Sequence, residues 1–274
     1  MTLFAITERF PPLPLDDVVA RIRQFPTADL ATRAETIRAF VTAHPIICYD
    51  WGGDWRYLRA RGIETGQIPD NVSDLIWRAD SSAQLGRANP AGFTVLYLAD
   101  RRDTALSEIR LSEGEVVLTE FRILAKRAAR VAPIGEMSTI QRTGRGFLAG
   151  TETAIVNDLI NACALGAARS MLIIDAFLLS CLANLDDDYS LSSSVALAVF
   201  EKLPDLAAVV FPSRQQPGAV NFAIRQDAVW RDWGIVSVQA GHARHLAMGY
   251  YEMSSVRHVT GITNAGDLMW DPRL

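Results

Sequence analysis

Between Leu85 and Arg110 the chain reads LGRANPAGFTVLYLADRRDTALSEIR, and three side chains able to do chemistry fall inside that stretch. Arg87 is a planar cation suited to anionic oxygens, Tyr97 offers a ring for stacking, and Glu108 is a carboxylate that can offset developing positive charge. Upstream, Trp55-Arg56-Tyr57-Leu58-Arg59-Ala60-Arg61 alternates basic and mostly apolar positions. A strand there is expected to set its arginines on one face, either to meet an anion such as phosphate or to guard an exposed edge against pairing. Downstream, Ser213 follows a strand-like run beside a glycine-bearing turn, a place where site residues concentrate and where a turn hydroxyl also bonds its own backbone. Glu108 has two readings as well: a solvated helix residue paired with Arg101 or Arg110, or one member of a site.

Placing those residues requires particular elements. Asn89-Pro90-Ala91-Gly92 is turn chemistry, and the β-branched and aromatic run Phe93 to Ala99 predicts a strand. Asp103 or Thr104 is expected to cap a helix through Ala105, Leu106 and Ile109, with Glu108 about one turn inside on a different face from Leu106 and Ile109. Before this unit, Asp16 to Ala43 predicts two amphipathic helical pieces split at Pro26, so residues 1–44 read as a helical arm and 45–274 as the body. After it, Glu115 to Leu124 and Ala128 to Ile134 read as strands, and Thr151 to Leu185 as two apolar helices. A turn follows at Asp186-Asp187-Asp188, then a helix capped by Ser192 or Ser193 and running through Glu201. Leu206 to Phe211 and Ala219 to Ile224 read as a strand pair. Strands and helices interleave irregularly, which predicts an α+β fold with mixed or antiparallel sheets flanked by helices.

Composition removes several classes. The chain has 274 residues, 49% hydrophobic and 21% charged, enough to bury a full core. A net charge of −4 argues against a dedicated nucleic-acid binder, whose affinity needs a clustered basic face. Cys48, Cys163 and Cys181 are odd in number and far apart, with no CxxC pair, so no metal is expected and a reducing cytoplasm fits best. The N-terminus carries acids and no signal-like apolar core, and Ala162 to Leu185 is broken by Arg169 and Asp175, so we read it as a buried helix and expect no membrane partner. Gly144-Arg145-Gly146-Phe147-Leu148-Ala149-Gly150 has its third glycine one place late for a dinucleotide fingerprint. His242-x-x-His245 could share a helix face, yet no third ligand is suitably spaced and the acid of a zincin motif is missing. No GxSxG elbow, P-loop or EF-hand loop occurs.

Taken in order, Leu58-Arg59-Ala60-Arg61, Gly86-Arg87-Ala88-Asn89-Pro90, Val95 to Ala99, Thr104 to Arg110, Phe211-Pro212-Ser213 and Gly218 to Phe222 resemble the RES domain family over roughly residues 55–225. The family's naming arginine, glutamate and serine are matched by Arg59, Glu108 and Ser213. That resemblance implies a fold similar to ADP-ribosyltransferase toxins, NAD as the substrate, a role as the toxin of a toxin-antitoxin pair, and an Xre-type helix-turn-helix antitoxin as partner.

It also implies roles for the residues. Cleaving the nicotinamide–ribose bond expels a neutral leaving group from a cationic sugar, so no general acid is needed and the barrier is an oxocarbenium-like transition state. Glu108 would offset that charge and hold a ribose hydroxyl, Arg59 and Arg87 would meet the pyrophosphate, Tyr97 would stack on nicotinamide, and Ser213 would bond the ribose or phosphate. Asn89 and Asn221 would orient the loops. The expected reaction is cleavage with phosphate or water as acceptor. Transfer of ADP-ribose to a protein, or an interaction module that has lost turnover, are the alternatives.

Overall fold

The computed structural model describes residues 6–76, 85–90, 92–183 and 189–272. In chain order the elements are α1 Ile6–Arg9, α2 Leu15–Gln24, a 3-10 turn Phe25–Thr27, α3 Leu30–Ala43, β1 Tyr49–Trp51, β2 Arg56–Gly62, α4 Ser73–Ile76, β3 Val95–Ala99, α5 Arg102–Glu108, β4 Glu113–Ile123, β5 Ala129–Pro133 and α6 Glu136–Thr143. They continue with α7 Thr153–Asn161, α8 Leu165–Leu182, α9 Ser190–Lys202, β6 Ala208–Pro212, β7 Val220–Arg225, α10 Gln226–Asp232, β8 Trp233–Ala247, β9 Tyr250–Ile262 and β10 Leu268–Trp270. The fold is α+β. Contacts divide the chain into two compact units, one of residues 1–49, 83–93 and 130–211, the other of 50–82, 94–129 and 212–274.

The first unit is mostly helical. Pro26 does split the N-terminal helices, because a proline inside the run removes an amide donor and clashes with the preceding turn. The helices of the arm dock: α2 packs on α8, and α3 on α8 and α9. Val18, Ile37, Phe40 and Val41 are buried there, and the Phe177 ring meets Phe25 and Phe40 edge-on at 4.9 and 5.3 Å. Lys202 donates to the carbonyls of Val41, Thr42 and His44, satisfying the end of α3. Helix α8 is long and apolar enough to cross a membrane by length and composition. Its Asp175, in the middle, is instead buried at 4% exposure, accepting from the amides of Gly135 and Ser138 and facing His44 Nε2 at 3.2 Å. Strands β5 and β6 pair in parallel in this unit. For α9 the expected serine cap is a correction: Tyr189 is the N-cap, and Ser192 and Ser193 lie inside the first turn, donating back to the carbonyls of Tyr189 and Ser190. The expected turn at residues 186–188 lies outside the described residues.

The second unit is a twisted antiparallel sheet in the order β7-β3-β2-β4-β8-β9-β10. Alternation sorts its faces. Leu58 and Ala60 on β2, Ala99 on β3 and Val116 and Leu118 on β4 share one face, where they cluster with Ala105 and Leu106 of α5. Tyr57, Phe222 and Trp233 pack together on the other.

Candidate active site

Helix α5 carries the carboxylate at its end. Glu108 is the last residue of α5 rather than one turn inside it, because the chain leaves the helix at Ile109 and Arg110 takes a left-handed φ of 53°. Arg110 N then closes on Ser107 O at 2.9 Å. The expected caps are also corrected: Arg101, with extended backbone, is the N-cap, Thr104 Oγ1 donates to Asp100, and Asp103 accepts from Arg102 in the first turn. Burial pushes the Asp100 carboxyl up, against the opposing pull of Arg101. Leu106, fully buried, anchors the helix to the sheet so that the terminal residue is held in a fixed place.

The carboxylate of Glu108 is held on one side only. Oε1 accepts from Ser213 Oγ at 2.7 Å and from Asn221 Nδ2 at 2.7 Å. Among the described residues, Oε2 receives no hydrogen bond. Both donors are buried, Ser213 at 7% and Asn221 at 6% exposure, so their polar atoms need partners and the carboxylate supplies one. Asn221 reaches it because β7 pairs Asn221 with Ala99 of β3, on the face where α5 lies. The Ser213 hydroxyl also accepts from the amides of Gln215 at 3.2 Å and Gln216 at 3.0 Å, and the Ser213 amide donates to Ala219 O. One donor and two lone pairs are thereby all in use. The two readings of Ser213, site residue and turn hydroxyl, hold together in one side chain.

Beside this cluster the sheet forks. Strand β2 pairs with β4 from Arg56 to Gly62 but meets β3 at the single register pair Leu58 and Ala99. Arg59 stands at the fork, on the face opposite Leu58 and Ala60, and donates through Nε to Leu75 O at 3.1 Å and through a terminal nitrogen to Tyr97 O at 3.4 Å. Arg61 donates to Asp74 O. The expectation of three arginines on one face is corrected: the period of two puts Arg59 and Arg61 together and turns Arg56 to the other face, where it pairs with Glu120. Tyr97 is half-buried on the same face as Ala99. The structure thus brings Glu108, Ser213 and Asn221 into direct contact, with Tyr97 on their face of the sheet and Arg59 reaching the Tyr97 backbone from the other.

Arg87 and Asn89 belong to the first unit. Gly86 and Asn89 exchange backbone hydrogen bonds in a tight turn, which puts Asn89 at 6% exposure. The Arg87 guanidinium lies over the Phe211 ring at 6.0 Å, and one of its terminal nitrogens is buried with no hydrogen-bond partner among the described residues. A buried donor of this kind is costly unless an acceptor arrives. The glycine loop after α6 has its acceptor already: Glu136, fully buried, accepts from the amides of Phe147, Leu148 and Ala149. A side chain at Gly146 would collide with that carboxylate, since a Cβ there falls 2.3 Å from Glu136 Oε1. His242 and His245 are on β8 rather than on a helix, and successive alternation separates their faces. His242 sits between Glu113 at 3.1 Å and Glu115 at 3.2 Å.

Sequence reasoning ranked Asn221 below Ser213, although the two bond the same oxygen at the same distance. Its position opposite the last residue of β3 was the available signal. The carbonyls of Asp74 and Leu75, which receive Arg61 and Arg59, carry no sequence signal of their own.

A search of curated proteins gives no match. Among solved structures, the chain is similar to the crystal structure of the M. tuberculosis MbcT-MbcA toxin-antitoxin complex, with 13% identity and a TM-score of 0.35, over 82% of this chain and 92% of that one. The family model described as RES domain matches residues 68–241, a range that contains Arg87, Asn89, Tyr97, Glu108, Ser213 and Asn221 and begins after Arg59. With most of its length under that match and its carboxylate, serine and asparagine in contact, the chain belongs to the RES domain family.

Proposed function

We propose that the protein cleaves the bond between nicotinamide and ribose in NAD. The observation that carries the reading is Glu108, whose Oε1 is held by Ser213 and Asn221 while Oε2 receives no hydrogen bond among the described residues. A carboxylate fixed in that way is preorganised for charge that develops only in the transition state. In the reaction the C1′–N bond breaks with its electron pair passing to the nicotinamide ring nitrogen, which becomes neutral as positive charge spreads over C1′ and the ring oxygen of the sugar. Oxygen of water or inorganic phosphate then bonds to C1′ and loses its proton. Oε2 of Glu108 serves as the acceptor for a ribose hydroxyl and as the fixed negative charge. Ser213 and Asn221 act through Glu108 as positioning residues. Tyr97, on the same face of the sheet as Ala99 and helix α5, offers its ring to the nicotinamide. Within the cell the activity is that of a cytoplasmic toxin held in check by a helix-turn-helix antitoxin.

Purified protein incubated with NAD, with and without phosphate, is expected to release nicotinamide, and Glu108→Gln is expected to abolish most of that release. Formation of ADP-ribose alone identifies water as the acceptor, and a phosphorylated ADP-ribose identifies phosphate. A labelled protein band in place of either favours transfer to a protein, and no release from inhibitor-free protein overturns the reading.

A further inference from the structure

Next to the Glu108 cluster, within the same compact unit, lies an open cleft of about 500 Å³ between the start of α5, the turn after Ser213 and the tip of the β8–β9 hairpin. Its volume falls within the range of small-molecule sites, roughly 300–1,000 Å³. Arg101 and Arg102 contribute two guanidiniums from one side, and Gln215 and Gln216 contribute amides from the turn. Tyr250 and Met248 contribute apolar surface from the hairpin, 66% and 90% exposed. The charge is not bare: Arg102 is paired with Asp103, which also lines the cleft, and Arg101 with Asp100. One terminal nitrogen of each is also in use, Arg101 donating to Gly218 O at 3.4 Å and Arg102 to Tyr251 O at 3.3 Å, which leaves the other terminal nitrogen of each guanidinium for an acceptor in the cleft.

Two features mark this cleft as more than a surface hollow. The hairpin turn places Met248 at φ 53° and Gly249 at φ 81°, a two-residue turn in which the first position normally takes asparagine, aspartate or glycine. An exposed methionine there costs strain and gains no burial from the rest of the chain. The turn wall is also wired to the carboxylate. Gln215 and Gln216 donate their amides to Ser213 Oγ, Ser213 Oγ donates to Glu108, and the Gln216 side chain donates to Gly249 O at the hairpin tip. Along α5, Arg102 and Glu108 are six residues apart, on the order of 9 Å at 1.5 Å per residue.

We propose that this cleft binds the adenosine diphosphate half of the dinucleotide, with Arg101 and Arg102 on the diphosphate and Tyr250 and Met248 against the adenine. The proposal rests on the reading of Glu108 as the carboxylate at the nicotinamide ribose. A planar aromatic base and a doubly charged linker are what a tyrosine, a methionine and two guanidiniums jointly select, and the hydrogen-bonded turn sets that half in register with the scissile bond.

Calorimetry with ADP and steady-state kinetics with NAD and nicotinamide mononucleotide test it. Wild-type protein is expected to bind ADP, and Tyr250→Ala, Arg101→Ala and Met248→Asn to weaken that binding about tenfold. For NAD the same variants raise KM about tenfold with kcat retained; with nicotinamide mononucleotide, which lacks the adenine but keeps one phosphate, Arg101→Ala still raises KM whereas Tyr250→Ala and Met248→Asn do not. Met248→Asn suits the turn, so a loss there is not a folding defect. Absence of ADP binding to wild-type protein, or unchanged ADP affinity in all three variants, overturns the assignment. ADP binding that is lost in the variants of a protein releasing no nicotinamide would uphold the subsite and sink the reaction, whereas release with unaltered KM in the variants would do the reverse.

Discussion

Two carboxylates, one in each compact unit, are both tied down by hydrogen bonds, and the way they are tied separates structure from chemistry. Glu136 is fully buried and uses both oxygens, Oε1 on the amides of Leu148 and Ala149 and Oε2 on that of Phe147. Glu108 is half-buried and uses one oxygen, on two side chains. A saturated acid can organise a loop and do nothing more, since every lone pair facing the protein is occupied. An acid held at one oxygen is fixed in direction and still has an acceptor to offer.

Replacing the acid in each place is the sharpest way to break that comparison. Glu108→Gln keeps shape and an acceptor oxygen but removes the charge, so nicotinamide release is expected to fall about a hundredfold to a thousandfold while the denaturant midpoint barely moves. If release persists, Glu108 is a structural acid like its counterpart. Glu136→Ala is expected to do the opposite, costing about 3 kcal/mol of stability by orphaning three amides while turnover per folded molecule stays level. Chemical denaturation followed by active-site-normalised kinetics separates the two outcomes.

The pH response carries the comparison further. Burial raises the Glu136 carboxyl above its ordinary 4.5, opposed by the three loop amides. Its stability contribution is therefore complete below 4.5 and is lost as pH rises through the higher folded value. Wild type should thus gain stability relative to Glu136→Gln as pH is lowered toward 4.5, the reverse of a salt-bridged acid; a difference that is flat with pH contradicts this.

Smaller effects test the supports of Glu108. Asn221→Ala removes one of two hydrogen bonds to a charged group, so kcat is expected to fall about tenfold with KM for NAD kept, and Asn221→Asp should not restore it, because it would set a second acid against the first. The smallest effect is at His242, raised above 6.5 first by its hydrogen bond to Glu113, against the opposing effect of desolvation, with Glu115 adding to the rise. Glu113→Gln should return its NMR titration midpoint toward 6.5 with no change in nicotinamide release, since this pair joins β8 to the start of β4 and neither side chain touches Glu108, Ser213 or Asn221.

Much of this was legible in the residues. The break at Pro26, the strand ending at Ala99 and the helix carrying Glu108 all follow from local rules acting over a few residues, whereas the docking of the N-terminal helices on α8 and α9 does not. The errors have two causes, one within reach of the sequence and one beyond it. Arg56 was placed with Arg59 and Arg61 where the period of two forbids it, and Thr104, Ser192 and Ser193 were given cap positions that belong to Arg101 and Tyr189. Helix boundaries turn on which backbone group finds a partner, and that depends on what the next segment packs against.

Sequence alone determined the types and order of the groups: an arginine strand, an aromatic strand, a helix with its acid, a serine turn and an asparagine strand. Tertiary structure decided what they are to one another. Only the pairing of β7 with β3 could bring Asn221 to Glu108 across 113 residues of chain, and only the fork of β2 from β3 could turn Arg59 to the Tyr97 backbone. Local propensity acts between neighbours, whereas which oxygen of a carboxylate is occupied is settled by strands that meet from distant parts of the chain.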